Sequence, residues 1–514
     1  MMMSYKQYVI GLDIGTTSAK AVLFTLGGKV VAEAEKPYDI SRPQPLWAEQ
    51  DPLSVEAGCL EVLKQVMEMG QVRPEALCSV GISSAMHSLI CVNEEGAPLS
   101  PSIIWADGRS HEQAKRVQDT HSSIYLRTGT PLHPMSPLAK LLWMKENPYT
   151  PYRQAKRFVS IKEFILYRWF GTDVIDYSMA SATGLFNIHT FEWDQEALQL
   201  CGITEEQLSR PVPSTYLLQG LRPDIAYRIG IPSDLPFVLG GSDGPLANLG
   251  IGAIAAGDVA ITIGTSGAIR QMTDRAQLSP NQETFCYAFT PQLWITGGPT
   301  NNGANVLQWI KNILGELEVE QAHKQNLNPY ELLTALAEQA NPGANGLLFL
   351  PYLNGERAPF WDANARGCYI GLSASHQKKD LIRAGLEGVI FSLYHIGEAL
   401  EKNVGSARRI FASGGFARSS TWLQIVADMF QQPIEVPESH QSSAWGAAWL
   451  SLYALNIVPS LEAIGSSIPM KKKVIPRSEY REQYRQSYQI YQSLYHALKP
   501  TFDQLAQFSQ SSQK

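Results

Sequence analysis

Three short segments carry residues whose types and order suit the binding of a polyphosphate. Asp13-Ile14-Gly15-Thr16-Thr17-Ser18-Ala19-Lys20 sets a carboxylate at the end of an apolar run, then a glycine turn, three hydroxyls and a cation. Such groups can hold phosphate oxygens and a hydrated Mg²⁺, an ion that keeps several waters and takes few carboxylates. Taken alone, the segment reads equally well as a polar hairpin turn. Gly264-Thr265-Ser266-Gly267 offers a second turn of the same kind, and two of them in corresponding places favour a nucleotide clamp over coincidence. The third, Ser413-Gly414-Gly415-Phe416-Ala417-Arg418-Ser419, follows the apolar Ile410-Phe411-Ala412. Its adjacent glycines let a flat base or ribose approach the backbone closely, and the competing reading is a plain strand-to-helix turn.

The elements that must position these segments follow from hydrophobic periodicity. Tyr8 to Gly15 and Lys20 to Phe24 predict a β-hairpin, with Gly27-Gly28 leading to a third strand over Lys29 to Ala34. The pattern returns at Val259 to Ile263 and Ala268 to Arg270, half a chain later. Such a return suggests two domains of related architecture, each opening with a strand, a polar turn and a strand. Small residues around Asp243-Gly244-Pro245 and Gly250 to Gly257 put the boundary there, giving domains over 1–247 and 248–514. Helical spacing marks Leu381 to Ile390, Trp422 to Phe430 and a C-terminal surface helix from about residue 480. The alternation of strands and helices predicts an α/β fold.

Composition bounds the rest. A chain of 514 residues, 44% hydrophobic and 18% charged, has room for several buried cores and is neither disordered nor fibrous. A net charge of −6 lacks the basic surplus of a nucleic-acid or membrane-surface binder, so an anionic ligand must be gripped locally. The six cysteines are scattered without zinc or dithiol spacing, which reads as reduced thiols in a cytoplasm. The run from Met1 to Asp13 is too short for a leader, and no apolar run approaches a membrane span. Gly250-Ile251-Gly252-Ala253-Ile254-Ala255 fits a loose dinucleotide fingerprint but precedes its best strand, so a nicotinamide oxidoreductase is disfavoured. His111-Glu112 lacks the second histidine of a zinc protease.

In their order and separations, the three segments resemble the sugar-kinase branch of the actin-like ATPases. More narrowly they resemble the FGGY carbohydrate kinases, the family of glycerol kinase, xylulokinase and gluconokinase. Met135 to Asn147 fits that family's N-terminal signature; Gly367 to Leu372, Asp380-Leu381 and Leu386-Glu387 resemble the C-terminal one, from which Gly385 departs. The resemblance implies two RNase H-like domains with the active site in the cleft between them, ATP held mainly by the second and the sugar by the first. It makes Asp243 the catalytic base, since a carboxylate can accept the proton of a hydroxyl attacking the γ-phosphorus. It places Asp13 on Mg²⁺ through water, Thr16, Thr17, Ser18, Gly264, Thr265 and Gly303 around the phosphates, and Gly414, Gly415 and Ser419 near the adenosine.

For the sugar, the resemblance points to Met86, His87, Trp105 and Asp243, with Ser88 where relatives commonly carry glycine. His87 reads alternatively as a satisfied core histidine. Arg109 divides between a structural ion pair and a substrate carboxylate. Glycerol kinases carry Arg-Glu where this chain has Met86-His87, which disfavours glycerol. Thr128 to Pro137 and Ala85 to Ser88 look most like the gluconokinase members. The expectation is an ATP-dependent kinase of a polyol or sugar acid, D-gluconate first, with a ketopentose kinase or a non-catalytic actin-like nucleotide module as alternatives. Relatives are commonly dimers, though nothing in the sequence marks an interface.

Overall fold

The computed structural model describes residues 6–438 and 441–511. Met1 to Tyr5, which entered the argument about a leader, lie outside them. Two mixed sheets organise the chain, one of six strands and one of seven. In the first, Tyr8–Ile14 pairs antiparallel with Ser18–Thr25, setting Asp13 opposite Lys20, and Val30–Pro37 adds a third antiparallel strand. Leu77–Ser84 and Phe237–Ser242 extend the other side in parallel. Parallel strands covered on both faces need continuous apolar runs, and Leu77–Ser84 is buried along its whole length.

The second sheet repeats the plan. Asp258–Ile263 and Gly267–Thr273 form its antiparallel hairpin, Leu293–Thr300 and Phe285–Thr290 continue it, and Arg409–Ser413 with Ile434–Pro437 run parallel on the far side. The hairpins expected from periodicity are therefore present in both halves. Each sheet has its own apolar core. A third core gathers residues of the long excursion between Leu89 and Ile203 with Cys286 and Ala288 of the second sheet.

Two helices join the halves. Asp243–Gly250 begins at the strand end itself, so Asp243-Gly244-Pro245 is a helix's first turn and not a linker. Ser442–Ala454, from late in the chain, crosses back onto the first sheet and packs against Asp243–Gly250. Glycine makes that approach close enough: a Cβ on Gly81 would fall 1.9 Å from the Ala447 carbonyl oxygen, and one on Gly446 2.0 Å from that of Leu246. Val9, Phe24, Leu246, Tyr287 and Trp445 belong to one apolar cluster here, which ties the sheets together.

The C-terminal helix, Arg481–Ser511, is less superficial than its composition suggests. Tyr484, Tyr488, Tyr491 and Tyr495 form a buried stripe that packs on Phe391 and Tyr352 of the second core. Among the described residues no helix is long and apolar enough to cross a membrane.

Candidate active site

Strand register brings the chemistry to one edge of each sheet. Asp13 lies opposite Ser83 in the parallel pair, and Ser242 opposite Ser84. Asp13, the Ala85 to Ser88 turn and Asp243 thus leave neighbouring strands at the same carboxyl end, where α/β sheets bind ligands. In the second sheet Thr262 pairs with Ser413, so the turns at Gly264 and Gly414 leave side by side. Sequence positions far apart become two small clusters.

Asp243 keeps an edge open to the cleft yet sits deep enough that desolvation pushes its carboxyl up to about 6, with the nearby Asp13 charge adding to the rise and Arg270 opposing it. Asp13 is raised too, chiefly by burial, and its Oδ1 has no hydrogen-bond partner. A carboxylate near neutrality can take a proton from a hydroxyl and still be ionised beforehand. The first turn is braced from outside: Tyr38 donates to the Gly15 carbonyl, Gln50 Nε2 to the Thr16 carbonyl at 2.7 Å, and Trp105 Nε1 to Thr16 Oγ1 at 2.9 Å. Thr17 is exposed, while Ser18 donates to Glu35 at 2.6 Å and thereby also secures the hairpin.

His87 adopts a left-handed φ of 70°, and its Nδ1 lies 2.8 Å from the Ala182 carbonyl. That partner fixes the neutral ring's proton on Nδ1 and leaves Nε2 as an acceptor. Burial drives His87 down to about 3, so it stays neutral. His133 has the complementary tautomer, its Nδ1 accepting from the Met135 amide at 3.1 Å. Burial lowers it to about 3 as well. The Met135 to Asn147 segment explains how the His87 turn is held: Lys140 Nζ donates to the carbonyls of His87, Ile103 (3.2 Å) and Met135 (2.9 Å). Burial pulls Lys140 down to about 7, but three carbonyl acceptors require three N–H donors and hence the ammonium form.

Arg109 is a structural residue. Asp107 and Glu49 take its guanidinium at 2.8 and 2.5 Å, and Trp47 stacks on it with 3.6 Å between Cζ and the ring centroid. Trp105, by contrast, is tied directly to the first turn through its bond to Thr16.

Beside the edge of the second sheet, a cavity of about 660 Å³ is lined by Thr265, Asn305, Tyr330, Gly415, Phe416 and Ser419 among others. Of the expected nucleotide residues, Thr265, Gly415 and Ser419 line it. Gly264, Gly303 and Gly414 are not among its lining residues but directly precede Thr265, Ala304 and Gly415, which are. Gly414 has φ 94°, and a Cβ on it would fall 2.5 Å from the Ile263 carbonyl oxygen. The Gly264 turn is stitched to the helix Ala304–Leu314, whose Ala304 and Asn305 amides donate to the Gly264 and Thr265 carbonyls. Ser419 Oγ caps the helix Ser420–Phe430 by accepting from the Trp422 amide.

Sequence reasoning missed Arg270 and Arg357. Arg270 reaches from the strand Gly267–Thr273 to the helix start beside Asp243, its Nε 3.4 Å from the place of a Gly244 Cβ. Arg357 Cζ lies 4.9 Å from the Trp105 ring centroid. For Arg270 the available signal was a cation in the middle of the strand run Ala268 to Met272, directly after Ala268-Ile269.

Comparison with known proteins agrees with this geometry. The chain is 42% identical over 505 residues to a gluconokinase of Bacillus subtilis, covering 98% of each protein. The crystal structure of a gluconate kinase from Lactobacillus acidophilus superposes with a TM-score of 0.91 at 35% identity, over 97% of this chain and 99% of that one. A ligand-bound xylulose kinase structure from the same organism matches with the same TM-score, identity and coverage. Residues 8–250 match the N-terminal domain model of the FGGY family of carbohydrate kinases and residues 259–455 its C-terminal domain model. With both of its halves matched in order by the two domain models, the chain belongs to the FGGY family of carbohydrate kinases.

Proposed function

We propose that this carbohydrate kinase transfers the γ-phosphoryl group of ATP to a hydroxyl of D-gluconate, giving 6-phosphogluconate and ADP. The near-full-length likeness to a gluconokinase carries the choice of substrate. Asp243 supports the reaction type, because its raised carboxyl is ionised at neutral pH and stands at the cleft edge to accept the hydroxyl proton. His87 Nε2 can accept a hydrogen bond from a sugar hydroxyl and His133 Nε2 can donate one, which orients the acceptor without adding charge.

The unpartnered Oδ1 of Asp13 fits one water-mediated contact to Mg²⁺. Among the described residues no group of three or more His, Cys, Asp or Glu could hold a metal ion. A single carboxylate suits an ion held mostly by waters and phosphates. When bound, the ion supplies positive charge to the β- and γ-phosphate oxygens. Thr16, Thr17, Ser18, Gly264, Thr265 and Gly303 are assigned to the phosphates and Gly414, Gly415 and Ser419 to the adenosine side, with the lobes divided at 247/248. Six free cysteines suit a cytoplasmic enzyme.

An ADP-release assay over gluconate, xylulose, ribulose and glycerol tests the reading. Gluconate is expected to lead the panel in kcat/KM by about 100-fold, the scale of a charged-group contact. A ketopentose at the head of the panel would replace the substrate and leave the family untouched.

A further inference from the structure

Two guanidiniums share the cleft and neither meets a carboxylate within 4.0 Å among the described residues. Arg357 is 8% exposed. Its Nη2 donates to the Thr300 carbonyl at 3.0 Å and its Nε has no partner. Its neighbour Glu356 is occupied elsewhere, accepting from Thr300 Oγ1 at 2.7 Å, the Asn301 amide at 2.9 Å and Ser392 Oγ at 3.1 Å. Arg270 is half-buried with a shielded, unpartnered Nη1. Room for it comes from Gly297 on the paired strand, where a Cβ would sit 3.1 Å from Arg270 Cγ. Its position brings it beside Met86 and Asp243.

Like charges in a desolvated cleft oppose each other. Burial and the Arg270 charge lower Arg357 to about 10 despite Glu356. The facing groups include Asp243, which acts as proton acceptor only while its lone pairs remain available, together with the neutral His87, His133 and Tyr287. The cleft therefore holds two guanidiniums with unused N–H donors, and planar guanidinium forks match a carboxylate.

We propose that Arg270 and Arg357 bind the carboxylate of the sugar acid and select it over neutral sugars, an assignment that rests on the gluconate reading above. The test uses the full-length protein with D-gluconate and with D-gluconamide, the same carbon chain with its carboxylate made neutral. Wild type is expected to prefer gluconate. At about pH 8.5, where Asp243 is ionised with or without the Arg270 charge, Arg270→Gln and Arg357→Gln should each raise the KM for gluconate about 10- to 100-fold and the KM for gluconamide by no more than about threefold. Arg270→Lys should recover part of the gluconate KM.

Arginines that served the transferring phosphoryl group would instead lower kcat for both substrates together. That result, or an unchanged preference for gluconate in the variants, overturns the assignment. An ATP-dependent rise in Tm reports that each variant is folded; if Arg357→Gln lacks it, Arg270→Gln and Arg270→Lys decide. Wild-type protein inactive on gluconate overturns the substrate reading and this assignment with it. Wild-type protein active on gluconate with acid-preferring variants overturns the arginines alone.

Discussion

Asp243 sits under two opposing requirements. To act as the proposed proton acceptor it must be ionised, and burial beside Asp13 resists that, which is why its carboxyl rises to about 6. With the folded value above the unfolded one, the ionised form destabilises the fold as pH climbs from the ordinary carboxylate range through about 6. Asp243→Asn removes both the charge and the base. It should lower kcat by about 10²- to 10⁴-fold with ATP binding kept, and stabilise the protein above pH 7 by about 1–3 kcal/mol after allowance for the solvent-facing edge. Turnover within tenfold of wild type would remove Asp243 as the base; calorimetry checks the stability. Wild-type kcat/KM should fall as pH drops through about 6, because the protonated carboxyl cannot accept a proton. His87 and His133, both held near 3, do not contribute to that limb. A pH–rate profile flat down to pH 5 would contradict it.

The strand, turn and helix from Arg409 to Phe430 show how an element makes a binding surface. The strand ends at Ser413, Gly414 takes a φ of 94° that few side chains tolerate, and Ser419 caps the next helix. Backbone at Gly414 and Gly415 is consequently exposed beside the nucleotide cavity. Gly414→Ala must displace the turn from the Ile263 carbonyl, 2.5 Å from the new Cβ. It should raise the KM for ATP by about tenfold or more, on the scale of 1–3 kcal/mol of backbone strain. The KM for gluconate should stay near wild type, and equal rises in both constants would argue against a nucleotide-side role for this turn. In the sugar half, Lys140 serves as an internal clamp, joining three carbonyls across the His87 turn.

Across the molecule, the two crossing helices hold the halves together. Ser442–Ala454 rests on the first sheet while its Gly446 touches the Leu246 carbonyl of the other helix, leaving no volume for a side chain. Closure of the cleft would exclude water that competes with the sugar hydroxyl for the phosphoryl group. Gly446→Val should separate these helices, destabilise the protein by about 1–3 kcal/mol or more, and abolish the compaction that an ATP analogue with gluconate produces in small-angle scattering. A variant that compacts like wild type would show that this contact is not the hinge. Strand Phe285–Thr290 adds a second tie: its Cys286 amide donates to the Gly129 carbonyl at 2.8 Å, and Tyr125 donates to the Thr284 carbonyl at 2.8 Å.

Local sequence determined the hairpins, the glycine turns and the helix spacings, because φ/ψ preference and apolar periodicity act over a few residues. That sufficed to single out Asp13, Gly264, Gly414 and, through resemblance, Asp243 as candidates. It left Arg109 undivided between two roles, since both partners that claim it, Asp107 and Glu49, and the Trp47 ring are assembled only by folding. It overlooked Arg270 and Arg357, which lie on separate strands and loops and gain meaning from each other's charge. Antiparallel pairing of distant strands and the loops packed beside them decided those encounters, for burial, electrostatic coupling and close glycine contact depend on distances that no run of neighbouring residues encodes.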